Sequence, residues 1–168
     1  WIGAFRLDDG SPVWKFNTIP DDGEPGAETW GDADSRLKGG GGIFTSGPEL
    51  IDIKNTIIAG NTSAVGGADC EGIINSLDHN LIQSATNCTI NGTTTHNKTG
   101  VSAYLGPLAN NGGSTLTMSL SGGSPAIDSG NNATCADVDQ RGVDRPFRAT
   151  GYGAAYCAIG AFEVDNLN

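Results

Sequence analysis

The sequence predicts an all-β fold in which short strands repeat along a solenoid, and three observations carry that expectation. Short apolar runs, such as Ile51-Asp52-Ile53, Gly72-Ile73-Ile74 and Leu81-Ile82, stand between clusters of Gly, Asn, Ser and Pro, as strands punctuated by tight turns require. The runs return at intervals of ~20 to 30 residues, the period of a stacked supersecondary unit. Of 168 residues, 26 are Gly, while aromatics make up 7% and charged residues 17%; close stacking of small coils uses such a composition and packed helices do not.

Two domains are expected, residues 1–42 and 43–168. The first begins with alternating residues, turns at Asp8-Asp9-Gly10 and alternates again through Val13-Trp14-Lys15-Phe16, the pattern of a β-hairpin. The polar Gly/Pro-rich stretch that follows reads as a loop. From Ile43 the alternation becomes regular. Leu50 to Asn61 reads as a strand with Ile51, Ile53 and Ile57 pointing inward, ending where Asn and Gly supply turn angles. Gly72–Leu77 and His79–Ile82 supply further coils, and the Thr-rich segment from Asn87 to Thr99 reads as a polar loop or exposed strand. The tail from Leu105 to Glu163 contains three more alternations, Leu116-Met118-Leu120, Ala126-Ile127 and Ile159-Ala161-Phe162. Solenoid ends expose core and unpaired strand edges, so the tail is expected to seal one end and the hairpin to cover the other.

The formal charge of −10 excludes a protein that grips nucleic-acid phosphates with Lys and Arg. The same acidity is compatible with Ca²⁺ binding or with solubility outside the cell. No run of ~18 apolar residues is present, so no membrane span is expected. Four cysteines permit three pairings, of which the two local ones, Cys70 with Cys88 and Cys135 with Cys157, each close a turn-rich loop. Such bridges place the chain in an oxidising compartment, secreted or at the cell surface. No CxxC or Cys/His spacing of a zinc site occurs, and no metal site is expected. The chain opens on Trp1 without Met or a signal sequence, as a mature product or proteolytic piece would.

Several ordered blocks of the tail, Gly106-Pro107-Leu108, Asn111-Gly112-Gly113, Thr115-Leu116-Thr117, Gly123-Ser124-Pro125-Ala126-Ile127-Asp128, Asp139-Gln140-Arg141-Gly142, Arg145-Pro146 and Ile159-Gly160-Ala161-Phe162-Glu163, resemble the C-terminal end of bacterial secreted right-handed parallel β-helix proteins, the choice-of-anchor Q and CSLREA-type group. Gly40 to Phe44, Asn55 to Asn61 and His79 to Ile82 look like the last coils of the same family, so the likeness covers roughly residues 40 to 165. It implies a short right-handed parallel β-helix with a C-terminal capping region, and names an architecture better than an activity. Residues 1–42, through Val13-Trp14, Phe16-Asn17-Thr18-Ile19-Pro20, Glu28-Thr29-Trp30-Gly31 and Lys38-Gly39-Gly40-Gly41, resemble a propeller-blade fragment of PQQ-dependent alcohol dehydrogenases. In that family a Trp follows the Gly run and stacks on the quinone, whereas Phe44 stands near that place here. About 40 residues supply at most one blade. The ligands other blades provide have no counterpart, so no bound PQQ is expected and at most a non-functional remnant of the dehydrogenase remains.

For chemistry, Asp128, Asp139, Arg141, Arg145 and Glu163 form the strongest charged constellation. A polysaccharide lyase or glycoside hydrolase would use such acids and an Arg as its catalytic groups. The bland reading is that they pair with one another and tie loops to a sheet. His79 and His96 lack a carboxylate partner at motif spacing and read as ordinary coil or surface residues. Trp30, Tyr104 and Tyr152, with Trp1 and Tyr156, are candidates to stack on sugar rings. The expectation is an extracellular structural or adhesive module whose partners are polysaccharide or copies of itself; the alternative is a carbohydrate-active enzyme.

Overall fold

The computed structural model describes residues 2–5, 12–16, 42–45, 50–63, 67–147 and 155–164. They form short strands joined by turns, bends and irregular segments, with no helix among the described residues. The chain divides into two compact units, Trp1–Gly40 and Gly41–Asn168. In the first, β1 (Ile2–Phe5) pairs antiparallel with β2 (Pro12–Phe16), Ile2 lying opposite Phe16 and Ala4 opposite Trp14.

The second unit is built on two parallel sheets. In one, β6 (Cys70–Leu77) is the centre, and β8 (Asn87–Thr93) runs along the whole of one edge, from Glu71 opposite Asn87 to Leu77 opposite Thr93. A strand has only two hydrogen-bonding edges, so β3 (Ile43–Phe44) and β4 (Ile51–Ile53) share the other. Between them Thr45 Oγ1 accepts from Ile73 N at 2.6 Å. Gly72 permits this approach: its φ is +97°, and an added Cβ would lie 2.1 Å from the Thr45 carbonyl oxygen. The other sheet stacks β5 (Ile57–Ile58), β7 (Leu81–Ile82) and β9 (Lys98–Thr99). Successive passes of the chain thus place one strand in each sheet: β4 then β5, β6 then β7, β8 then β9.

Ile53, Ile58, Cys70, Ile74 and Ile82 pack between the sheets, with Ile43, Ala85, Cys88 and Ile90 against them. The Cys70–Cys88 disulfide ties β6 to β8 inside this cluster. Polar side chains close the corner between the sheets. Buried Asn80 donates to the Ile53 carbonyl at 3.1 Å and to Ser76 Oγ at 3.0 Å, and its own oxygen accepts from Thr56 N. Asn97 repeats the arrangement one layer on, accepting from Asn80 N and donating to Ser76 Oγ. At another corner buried Asp69 accepts from Asn61 N and Ser84 N.

The tail lies elsewhere than expected. Leu81 and Ile82 are neighbours in β7, point to opposite faces and are both fully buried. Ile82 faces the intersheet core, while Leu81 packs with Ala103, Leu120, Ala126, Ala158, Ile159 and Phe162, and Ile57 joins it. The tail therefore covers the outer face of the β5-β7-β9 sheet, where the sequence reading had it sealing an end of the stack. A sheet with apolar residues on both faces needs two covers, and the tail is the second.

Other expectations need correction. Ile51 pairs with Ile74, which is fully buried, yet Ile51 is 42% exposed, because it is the outermost residue of its column among the described residues. The tail forms one antiparallel pair, β10 (Leu105–Ala109) with β11 (Thr117–Leu120). There Leu116 and Met118 face outward and Thr117 is buried, since Asn111 Nδ2 donates to the Thr117 carbonyl and hydroxyl. Ala126-Ile127 and Ile159-Ala161-Phe162 lie outside any strand, in turn, bend and irregular segments, and still bury Ala126, Ile159 and Phe162. Cys135 and Cys157 are free thiols and not the second disulfide. Cys157 hydrogen-bonds with Cys135, and burial first, then that neighbour, pushes its thiol up to about 12. The thiolate is the attacking species in oxidation, so the raised thiol of Cys157 slows formation of a bridge here.

Candidate functional site

Four of the five charged residues singled out in the tail face one another. Asp139 Oδ1 accepts from the backbone N–H groups of Arg141 and Val143 at 2.7 and 3.1 Å, and Oδ2 accepts from Glu163 N at 2.9 Å. The Arg141 guanidinium reaches Asp139 Oδ2 through two nitrogens, each at 2.9 Å. It also donates to the Glu163 carbonyl and lies 3.7 Å above the Phe162 ring. Glu163 accepts from Ala158 N and faces Arg145 Nε at 3.3 Å, while Arg145 donates to the Gly160 carbonyl at 2.7 Å. These four side chains are at most 5% exposed.

Electrostatics treats the two acids differently. Burial raises the Asp139 pKa, but the N–H groups of Glu163 and Val143 and the Arg141 guanidinium outweigh it, so the carboxyl lies below its usual range. For Glu163 burial prevails over Ala158 and Arg145, and the carboxyl lies above its usual range. Chemically this is a neutral, desolvated double pair that fastens residues 139–145 to residues 158–163. Among the described residues, its carboxylates and guanidiniums face one another and backbone groups.

Asp128 makes no hydrogen bond or ion pair within that network, although its charge helps to raise the Glu163 carboxyl. It has a positive φ of 50°, its Oδ1 is buried without a hydrogen-bond partner, and burial raises its pKa. It lines a cavity of about 780 Å³ together with His79, His96, Lys98, Asn131 and Tyr156. The two histidines, read from sequence as ordinary, are stacked here with ring centroids 4.5 Å apart and planes 14° apart. His79 Nδ1 lies 2.9 Å from the Ser129 carbonyl oxygen, and His96 Nδ1 lies 2.7 Å from Asp78 Oδ2. Asp78 Oδ1 also accepts from His96 N at 2.7 Å. Burial opposes the charge on Asp78, but the bonds from His96 and His79 outweigh it and hold the carboxyl below its usual range. Asp78 and His79 both have positive φ, 74° and 55°, a conformation that is costly outside Gly.

A sequence signal for this pairing exists. The dipeptide His-Asn occurs twice, at His79-Asn80 and His96-Asn97, one 17-residue step apart. The β7-β9 register pairs Leu81 with Lys98 by the same step. Each Asn therefore points to the corner ladder while each His stacks in a column outside it. Spacing within a motif does not show this; spacing between coils does.

Of the aromatic candidates, Tyr104 is 57% exposed and Tyr156 is 49% exposed. Trp1, Trp30 and Tyr152 lie outside the described residues. A second cavity of about 840 Å³ lies where β5 meets the tail, lined by Ile57, Leu108, Leu116, Met118 and Phe162 among others. No helix of the described residues is long and apolar enough to cross a membrane. The chain matches no protein-family model, no curated protein and no solved structure.

Proposed function

We propose that the chain is an extracellular structural or adhesive module: a short right-handed parallel β-helix that meets copies of itself through sheet edges and contacts glycans. One observation carries the choice of a structural role over an enzymatic one. Asp139, Arg141, Arg145 and Glu163 are buried and bonded to one another and to backbone, so the groups a lyase or hydrolase would use are committed to holding the tail. The helical path is supported by the matching order of strands in the two parallel sheets and by the 24- and 17-residue steps of the Thr56–Asn80–Asn97 ladder. The Cys70–Cys88 disulfide supports an oxidising compartment.

Self-association is supported at the β4 and β5 side of the sheets, where neither strand has a second partner among the described residues. Beside it Leu108, Leu116 and Met118 are 61, 53 and 45% exposed, and Ile51 adds to the apolar surface. An added strand would satisfy the edge and cover these side chains. Sedimentation over a concentration series tests it. Association is expected, and the variants Ile51→Lys and Met118→Asp are expected to shift the protein to monomer. A monomer at all concentrations that also retains no polysaccharide would overturn the proposal.

Asp128 is the observation that keeps the carbohydrate-active reading, because it lines the 780 Å³ cavity and carries a raised pKa. Turnover of acidic or neutral polysaccharides, abolished in Asp128→Asn with the fold intact, would establish that reading instead. Binding of added PQQ with Ca²⁺ would establish the dehydrogenase remnant, and no binding is expected.

A further inference from the structure

We propose that Asp78, His79 and His96 bind a divalent late-transition-metal ion of the Zn²⁺, Ni²⁺ or Cu²⁺ class. One ligand atom from each of the three lies within 4.8 Å of the others. The protonation pattern follows from the partners. A carbonyl oxygen only accepts, so His79 Nδ1 carries its proton toward Ser129 and leaves Nε2 as a lone pair. An imidazole whose other nitrogen donates to a backbone carbonyl is how metal-ligating histidines are oriented. His96 Nδ1 and Asp78 Oδ2 lie 2.7 Å apart in a hydrogen bond, and a cation that replaces the shared proton would part these two atoms to roughly 3–3.5 Å.

The donor set of two nitrogens and one carboxylate suits borderline ions, whereas Ca²⁺ requires six to eight oxygens. Zinc at ~2.0–2.1 Å from each donor needs donors roughly 3–3.5 Å apart, so the 4.8 Å span closes by rotation of the histidine side chains. His96 has the freedom to do so, with its side chain 59% exposed. Its turn and that of Asp78-His79 belong to successive coils, so the ion would clasp one layer to the next. Remaining coordination positions would open to the 780 Å³ cavity, where Asp128 Oδ1 is buried without a partner.

The test is calorimetric titration of chelator-stripped full chain with Zn²⁺, and with Ca²⁺ as comparison, alongside melting curves in both. One Zn²⁺ site and a raised melting temperature are expected, with no effect of Ca²⁺. His96→Gln alters an exposed side chain, and His79→Asn and Asp78→Asn keep a residue type that tolerates positive φ. Each histidine variant is expected to weaken Zn²⁺ by more than about 100-fold, beyond the loss from removing an outer partner. Three results would overturn the proposal: no Zn²⁺ binding, unchanged affinity in His96→Gln, or binding lost in Cys135→Ser and retained in both histidine variants, which would assign the ion to the thiol pair.

Discussion

Residues 43–99 and residues 105–164 bury aliphatic clusters of similar kind against opposite faces of the β5-β7-β9 sheet, and they are held there by different means. In the parallel sheets the backbone ladder repeats from coil to coil, and side chains answer their own counterparts: Ile51 over Ile74, Asn80 over Asn97, His79 over His96. In the tail almost nothing repeats. Its loops are fastened by single contacts such as Ser124 Oγ to the Ala103 carbonyl, and by two buried ion pairs. Repetition spreads stabilisation over many equivalent bonds, whereas a singular network concentrates it in a few residues whose loss leaves buried charge unpaired.

The largest expected effect lies in the tail. Asp139→Ala strips four bonded groups of their acceptor and leaves the Arg141 guanidinium buried, at a cost of about 3–5 kcal/mol in urea denaturation. Ile74→Ala in the intersheet core is expected to cost about 3 kcal/mol, with limited proteolysis cutting throughout residues 43–99 rather than in the tail alone. If the two costs came out reversed, the contrast between concentrated and spread stabilisation would be broken. Reduction of Cys70–Cys88, whose partners are 18 residues apart, is expected to lower stability by about 2–3 kcal/mol. Alkylation of the unreduced, denatured chain should then label Cys135 and Cys157 and no other cysteine. Ser124→Ala is expected to cost about 1–2 kcal/mol, the value of one buried hydrogen bond.

The smallest effect sharpens the comparison by pH. The Asp139 pKa is depressed below its ordinary 3.8, so its contribution is present above that value and lost as pH falls through the folded one. The Glu163 pKa is raised above 4.5, so its contribution has the opposite sign: present below 4.5 and lost as pH rises through the folded value. Stability of the tail is therefore expected to rise slightly as pH is lowered toward 4.5 and to fall below 3.8. Melting temperatures of Glu163→Gln and Asp139→Asn check this, since the first should reduce the rise, which Asp128 shares, and the second the fall, which Asp78 shares.

Parts of this were legible in the sequence because their causes are local. The antiparallel β1 and β2 fall within the expected hairpin, and β6 and β7 lie in the expected apolar runs, whereas the single strand read across Leu50–Asn61 is two, β4 and β5, in different sheets. Gly60, at the end of the Leu50–Asn61 run where the sequence places a turn, has positive φ. Two cysteines bracketing one turn pointed to the Cys70–Cys88 bridge, but the same pattern at Cys135 and Cys157 forms none. Leu116 and Met118 misled for an equally local reason. Alternation fixes that neighbours face opposite ways but not which face is buried, and here the Asn111 amide recruits Thr117 inward.

Alone, the order of residues settled the all-β character, since it depends on a handful of neighbours and their backbone preferences. Only the tertiary structure decided that the tail lies on the β5-β7-β9 sheet, that Asp139, Arg141, Arg145 and Glu163 close on one another, and that His79 rests on His96 beside Asp78. The physical reason is that coil step and docking face are set by burial summed over residues far apart in the chain, and no single stretch carries that sum.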